Sequence, residues 1–476
     1  MLLTEIPKHI NCHKIYNIIK KNINFNNIFT NSKSINKSSI FAVNNNNKFK
    51  KKYIEEAIKK GSVAVLTNKY FKEFKLTQFI VKDINLNIYK LLHKLFPNGP
   101  LNSIGITGTN GKTSVAWFIS QICVENNIPI KSYGTLGYYV NGKKRENSKL
   151  TTPEYEVLHQ SAFSKKKNYY NFVFEISSHA LCQNRLNNFP VNIAAITNIS
   201  EDHLDYHKSF KIYKEEKLKL FKKHLHKEGS AIINDRIQGI KKFKTKLKKR
   251  YKTITYGKKN SDINLVIKKN NTEIKIFKTK YLLKLNYLSQ VELENIACAI
   301  ACCLSLKIKI FDIIKCLKKI NNPPGRFEKL DNINSKYIVY IDYAHTPDAL
   351  KKILISQTIK NKKPNILFGC GGNRDKNKRS IMGLIANKYA DKVYITDDNP
   401  RDEDPAKIRK SILENCKKGF EFEDRKQAIK IAINNLKKNE ILIIAGKGHE
   451  KIQITKNFTR LFDDVKIAKN VLKKRL

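Results

Sequence analysis

The octapeptide Thr107-Gly108-Thr109-Asn110-Gly111-Lys112-Thr113-Ser114 (TGTNGKTS) follows the apolar run Ile104–Gly105–Ile106 and precedes VAWFISQICV (115–124). An apolar strand, a glycine-bearing turn and an apolar helix, in that order, are how a chain wraps a phosphate. The turn offers backbone N–H groups and a helix N-terminus, the lysine offers an ammonium, and the hydroxyl after it offers a ligand for Mg²⁺. A strict Walker A motif has glycine five residues before the glycine of its Gly-Lys pair, and Ile106 stands there. The stretch therefore predicts nucleoside triphosphate binding and says nothing about the reaction.

Working outward, 476 residues are too many for one core. Three blocks emerge. Residues 1–99 mix short apolar runs (SIFAV, SVAVLT) with a helical KKYIEEAIKKG and end at the turn around Pro97, Gly99 and Pro100. Residues 100–324 hold the octapeptide. Their runs NFVFEIS and NIAAITNIS are apolar on both faces, as buried strands are. QVELENIACAIACCLS (290–305) reads as one amphipathic helix. Residues 325–476 alternate strand (YIVYID, NILFGC, KVYIT, EILIIAG) with helix (PDALKKILISQ, SIMGLIANKYA, PAKIRKSILENC, RKQAIKIAINNL). That alternation predicts an open parallel sheet covered on both faces, with ligands at the carboxyl ends of its strands. Those ends read DYAHTP, GCGGNRDK, TDDNPRDEDP and AGKGHE, all polar.

Composition narrows the function. The net charge of +51 suits a nucleic-acid partner, but the lysines spread along the whole chain and lack regularly interleaved aromatics. A solvated surface accounts for them, and no nucleic-acid partner is expected. No apolar run is long enough to span a membrane, and the N-terminus lacks a secretory core, so a cytoplasmic protein without membrane contact is expected. Nine cysteines occur without a CxxC pair. Cys298, Cys302 and Cys303 read as small core residues, with metal or redox roles as the alternative.

Other candidates stand on single segments. Glu175 closes a strand and suits Mg²⁺, or is an ordinary surface glutamate. His203, with Asp202 and Asp205, is a metal neighbour or a loop histidine. Lys217 reads by default as a solvated helix lysine; only as a carbamate would it become an oxygen ligand.

GITGTNGKTS, TTPE, FEISSHALCQNRL, TNISEDHLDYHKSFKIYKEEK, PPGRFE, DYAHTPDAL, FGCGGNRDKNKRSIMG, DDNPRDEDP and AGKGHE occur in this order. Together they resemble the Mur ligase family, over roughly residues 30–465. The resemblance implies an α/β fold of three domains: a small N-terminal α/β domain binding the UDP-substrate (1–99), a central P-loop ATPase-like parallel-sheet domain (100–324) and a C-terminal Rossmann-like domain binding the amino acid (325–476). It implies an ATP-dependent amide ligase of cytoplasmic peptidoglycan precursor synthesis, a monomer, using Mg²⁺. The substrates it implies are ATP, a UDP-N-acetylmuramoyl dipeptide and meso-diaminopimelate.

Residue by residue, it assigns ATP to Gly108, Thr109, Asn110, Gly111, Lys112, Thr113 and Ser114, with Asn295, Arg326 and Asp342. Catalysis falls to Lys112, Glu175, His203 and Lys217. The metal falls to Thr113, Glu175, His203 and Lys217 as its carbamate. Ser32, Thr151, Thr152, Ser177, Gln183 and Arg185 grip the muramoyl dipeptide. Arg374, Asp398, Asn399, Pro400, Arg401, Gly446 and Glu450 take diaminopimelate, whose distal carboxylate suits a bidentate arginine. Departures from the family pattern are Asn31–Ser32–Lys33 in place of Asp-Ser-Arg, the Asn/Lys-rich loop 44–52, and Ser289 and Glu292 in place of glycine and asparagine. Two other readings are a folylpolyglutamate-synthase-like ligase, which leaves TTPE and DNPR without a purpose, and a basic nucleic-acid-binding ATPase.

Overall fold

The structure is a computed structural model, and it describes residues 1–18, 22–43, 49–268, 271–285, 289–330, 337–358 and 362–475. Most of the Asn/Lys-rich loop, residues 44–48, lies outside them. The chain forms two compact units: Met1–Gly105 with Asn127–Ile193 and Lys219–Gly229, and Ile106–Asn126 with Ala194–Leu218 and Ser230–Leu476.

In the first unit, SIFAV and SVAVLT become the strands Ser39–Val43 and Ser62–Thr67, paired in parallel. The five-stranded sheet runs Cys12–Tyr16, Thr77–Val81, Ser62–Thr67, Ser39–Val43, Asn27–Phe29. Only Cys12–Tyr16 is antiparallel to its neighbour. The helix Lys52–Lys59 presents Ile54 and Ala57 to a core that includes Phe41, Val65 and Phe71. Elsewhere in this unit the strand Asn171–Ile176, buried at every position, lies parallel to Ile130–Gly134, and two antiparallel strands follow, Gly137–Val140 and Lys143–Glu146.

In the second unit, the helix Gln290–Ser305 is not amphipathic: Leu293 and every residue from Asn295 to Cys303 are buried. It lies between the helix Lys112–Glu125 and the strands Lys252–Tyr256 and Ile263–Lys268, so no face is left for water. Its alanines and cysteines allow that close approach, and Cys298, Cys302 and Cys303 are core residues.

The six-stranded sheet of this unit runs Glu328–Leu330, Ile338–Asp342, Ile441–Ala445, Asn365–Phe368, Val393–Thr396, Gly419–Phe422. All neighbours are parallel except the edge strand Glu328–Leu330. Strand side chains alternate between faces. Ile366, Phe368 and Ile443 therefore meet Leu350, Met382 and Ile412 of the helices Pro347–Ser356, Asn377–Tyr389 and Pro405–Leu413. Leu367, Leu442 and Ile444 meet Ile429 and Ala468 of the helices Arg425–Asn434 and Asp464–Lys474. Thr346-Pro347 and Asp404-Pro405 start their helices as a side-chain cap followed by proline, whose fixed φ suits the first turn. Parallel pairing brings the ends DYAHTP, AGKGHE, GCGGNRDK and TDDNPRDEDP to one edge, side by side.

Candidate functional site

The strand Ser103–Thr107 delivers the chain into the glycine turn, and the helix Lys112–Glu125 leaves it. Two glycines there are sterically required. Gly108 (φ +144°) would carry a Cβ 1.8 Å from Thr197 Oγ1, and Gly111 (φ +88°) one 2.3 Å from Asn295 Oδ1. The close approach of Asn295 to Gly111 brings two of the residues expected at ATP together. Ser289 and Glu292, departures from the family pattern, form a reciprocal cap at the start of the Asn295 helix: Ser289 Oγ accepts from Glu292 N at 3.1 Å, and Glu292 Oε2 accepts from Ser289 N at 3.0 Å. Glu292 also accepts from Asn322 Nδ2.

Lys112 Nζ donates to the carbonyls of Gly108 (2.8 Å) and Thr109 (2.9 Å). Lys217 is not solvated. It is 1% exposed, donates to the same Gly108 carbonyl at 2.8 Å, and lies 4.5 Å from the Tyr213 ring centroid. Burial first, then the Lys112 charge, hold its amine well below the ordinary lysine value, against the pull of Asp202. Burial alone would raise the Asp202 carboxyl, but His203, His345, Lys112 and Lys217 outweigh it and hold it low. His203 takes a left-handed backbone (φ +53°), and its Nε2 is 3.5 Å from Asp202 Oδ2. Tyr213, which sequence reasoning missed, shares a 2.9 Å hydrogen bond with Thr109 Oγ1.

Arg326 reaches Thr113 Oγ1 with Nη2 at 3.5 Å and lies 4.1 Å over the Tyr343 ring. Its buried Nε has no hydrogen-bond partner among the described residues, which leaves a donor for an anionic ligand. Asp342 holds the turn below it, accepting from Phe327 N (2.8 Å) and Ala344 N (2.7 Å).

The edge of the six-stranded sheet gathers the candidate amino-acid residues. Arg401 (φ +54°) donates through Nη1 to the Gly372 carbonyl at 2.9 Å, which fixes its guanidinium beside the GCGGNRDK turn. Gly372 N in turn donates to Asn399 O at 2.9 Å, and a Cβ on Gly372 would fall 1.8 Å from Pro400 O. Asn399 Nδ2 donates to Glu450 Oε2 at 2.8 Å, and Tyr343 Oη to Glu450 Oε1 at 3.2 Å. Gly446 lies against Asp398, where an added Cβ would be 2.9 Å from Oδ2. Arg374 is exposed and donates within its own turn, to Asn373 O at 3.4 Å. Tyr343 was legible only as part of the strand end DYAHTP; an aromatic directly after the candidate Asp342 was the available signal.

In the first unit, Thr151, Thr152, Ser177, Gln183 and Arg185 cluster at the end of the strand Asn171–Ile176. Thr152 Oγ1 donates to Glu175 O (2.9 Å) and accepts from Ser177 N (2.9 Å). Arg185 donates to Thr152 O (2.9 Å) and Gln183 Oε1 (2.8 Å). Thr135 ties Glu175 to Thr151: its N donates to Glu175 Oε1 (2.8 Å), its Oγ1 donates to Glu175 Oε2 (3.1 Å), and Oγ1 lies 3.1 Å from Thr151 Oγ1. Ser32 makes its own bond, donating to Glu56 Oε2 at 2.7 Å. Its segment is anchored by Thr30, whose N and Oγ1 both donate to the buried Glu156.

Among the described residues no three His, Cys, Asp or Glu side chains are grouped to hold a metal, and no helix is long and apolar enough to cross a membrane.

Residues 106–303 match the family described as the Mur ligase middle domain, and residues 325–448 that described as the Mur ligase, glutamate ligase domain. The chain is 39% identical over 462 residues to the UDP-N-acetylmuramoyl-L-alanyl-D-glutamate–2,6-diaminopimelate ligase of Rickettsia bellii, covering 94% of this chain and 95% of that one. A solved structure bearing the same enzyme name is 25% identical with a TM-score of 0.64, covering 95% of each chain. The MurF ligase of Thermotoga maritima in complex with ADP, at 19% identity, shares the fold with a TM-score of 0.68 over 96% of this chain and 100% of that one. With two matching domain models and relatives of this similarity along nearly its whole length, the chain belongs to the Mur ligase family.

Proposed function

We propose that the protein is an ATP-dependent ligase that joins meso-diaminopimelate to UDP-N-acetylmuramoyl-L-alanyl-D-glutamate. One observation carries the choice of amino acid: Asn399 bonds Glu450 and Arg401 bonds the Gly372 carbonyl, so the ends of three successive strands (Ile441–Ala445, Asn365–Phe368 and Val393–Thr396) gather a cation, an amide and a carboxylate that together suit an amino-acid head. The names of the relatives support the acceptor and the reaction. In this reading residues 1–99 hold the UDP-sugar, 100–324 the nucleotide and 325–476 the amino acid, and the enzyme works as a cytoplasmic monomer.

ATP lies along Gly108–Ser114 with Asn295, Arg326 and Asp342 around it. The unpartnered Arg326 Nε supplies a donor, and Lys112 leaves the loop carbonyls for the phosphates. Thr151, Thr152, Ser177, Gln183 and Arg185 orient the dipeptide, with Ser32 toward the uridine. The D-glutamyl γ-carboxylate attacks the γ-phosphorus, ADP leaves, and an acyl phosphate forms. Lys112 neutralises the meeting of two anions. The diaminopimelate amine, oriented by Arg374, Asp398, Asn399, Pro400, Arg401, Gly446 and Glu450, then attacks the acyl carbon, and phosphate leaves as the amide forms.

The donor set fits magnesium: a hydroxyl (Thr113), a carboxylate (Glu175), an imidazole (His203), and a lysine whose buried, neutral-leaning amine can take up CO₂ and become an oxygen ligand (Lys217). Magnesium supplies charge neutralisation between the two anions when bound. The test is phosphate release from ATP with the muramoyl dipeptide and either meso-diaminopimelate or lysine. Release should require both compounds and favour diaminopimelate; folded, metal-replete protein that turns over no nucleotide refutes the reading.

A further inference from the structure

Lys447 stands between two glycines just after the strand Ile441–Ala445 and is fully buried, at 0% exposure. Lysine is almost never so buried without partners. Its ammonium donates to Asn399 Oδ1 at 3.0 Å and to the Ile452 carbonyl at 2.6 Å. The carboxylates of Asp398 and Glu450 lie 3.8 and 3.7 Å away. Burial lowers its titration from the ordinary lysine value, and those two carboxylates resist the shift.

The consequence falls on Asn399. The two ends of a side-chain amide are nearly equal in shape, and the surrounding donors and acceptors decide which way it points. Asn399 Oδ1 accepts from Lys447 Nζ and from Ile454 N (3.1 Å), which fills both lone pairs. A flipped amide would turn an NH₂ group toward an ammonium and a backbone N–H. Nδ2 must therefore face Glu450, which it meets at 2.8 Å.

We propose that Lys447 is a positioning residue for amino-acid capture: it locks the Asn399 amide with nitrogen toward the substrate side and holds Glu450 in line with it. This rests on the reading above, in which Asn399 and Glu450 grip diaminopimelate. Lys447 touches no substrate itself. Without its ammonium, Asn399 is released to present oxygen where a substrate carboxylate needs a donor, and Asp398 and Glu450 each lose a cation, at 3.8 and 3.7 Å.

Steady-state kinetics of Lys447→Met and Lys447→Gln test it. A hydrogen bond to a charged group is worth about 1.5–3 kcal/mol, so the KM for diaminopimelate should rise about 10- to 100-fold in Lys447→Met. The KM values for ATP and the muramoyl dipeptide should stay within about threefold, because Lys447 contacts neither site. Lys447→Gln keeps a donor and much of the volume and should recover part of the loss. In an Asn399→Ala background, adding Lys447→Met should raise the KM no further, since the effect passes through Asn399; where the Met variant does not fold, the Gln variant completes the same cycle. Unchanged KM, an equal rise for all three substrates, or additive losses in the double variant would overturn the inference. A wild-type enzyme that ignores diaminopimelate would instead overturn the functional reading beneath it.

Discussion

Gly134→Ala isolates the role of one carboxylate without touching it. Gly134 closes the strand Ile130–Gly134, and a Cβ there would lie 2.1 Å from Glu175 Oε1, 2.7 Å from Cδ and 2.8 Å from Cγ. The backbone at 134 is not left-handed, so alanine is compatible with the strand's own conformation and the strain falls on the Glu175 side chain. The Glu175 side chain must instead swing away by roughly 1 Å to reach ordinary contact distance. In doing so it strains or loses its bonds from Thr135 N (2.8 Å) and Thr135 Oγ1 (3.1 Å). Hydrogen bonds to a charged group are worth about 1.5–3 kcal/mol, and partial recovery in the new position leaves a net loss of about 1–3 kcal/mol. If Glu175 holds magnesium, a displacement of this size should cost about 10²-fold in turnover. Phosphate release measured across a magnesium titration, beside a urea unfolding curve, separates the two effects. The expected result is a folded protein whose half-saturating magnesium concentration rises at least tenfold, with turnover partly restored at high magnesium. A magnesium dependence matching wild type, in protein shown to carry the substitution, refutes the assignment of Glu175 to the metal.

Lys112→Ala should lower turnover by about 10²–10³-fold, because it removes an ammonium that sits on the loop at 2.8 and 2.9 Å from the Gly108 and Thr109 carbonyls; single-turnover phosphate release measures it. Arg401→Lys replaces a fork by a point charge and should raise the KM for diaminopimelate about tenfold or more while sparing that for ATP. Protein equilibrated in ¹³C-bicarbonate should show a carbamate carbon resonance that is absent from Lys217→Ala, and the signal should fade on acidification as the amine is released and protonated. His159 is fully buried, its ring stacked on Phe163 at 4.0 Å, and neither ring nitrogen has a hydrogen-bond partner among the described residues. Burial pulls its pKa from 6.5 to about 3, so the unfolded chain takes up a proton that the folded one refuses, and stability falls as pH drops from 6.5 toward 3. That gap corresponds to at most about 5 kcal/mol. His159→Leu should therefore gain on wild type in denaturant melts across that window and be level with its own neutral-pH difference above it; a pH-independent difference contradicts the assignment.

The C-terminal sheet was legible because its strands are buried on both faces and read as apolar runs, while Thr346-Pro347 and Asp404-Pro405 marked helix starts. The strands Glu328–Leu330 and Gly419–Phe422 were not, being short edge strands with half-exposed residues and no apolar run. Lys217 misled for a related reason. Its helix FKIYKEEKLK is charged on all sides in sequence; Tyr213 lies one turn before the lysine on that helix, but only tertiary packing brings the Gly108 carbonyl to it and buries it. The capping box Ser289–Glu292 carried a local signature, a serine three residues before a glutamate, that the comparison of motifs read only as a departure. Asn399 and Glu450 stand 51 residues apart, so their contact follows from strand order, which spacing does not encode.

The buried Arg425–Asp464 pair ties the chain's last helix to its working edge. Arg425 donates to both oxygens of Asp464, at 2.9 and 2.7 Å, and to the carbonyl of Ala445, the residue just before the Gly446–Glu450 turn. Both side chains are at 0% exposure. A stop codon at or before position 464 would remove the carboxylate and leave that guanidinium stranded under the sheet, at about 3–5 kcal/mol. Late nonsense and frameshift lesions should thus behave as complete losses of function rather than as harmless trims.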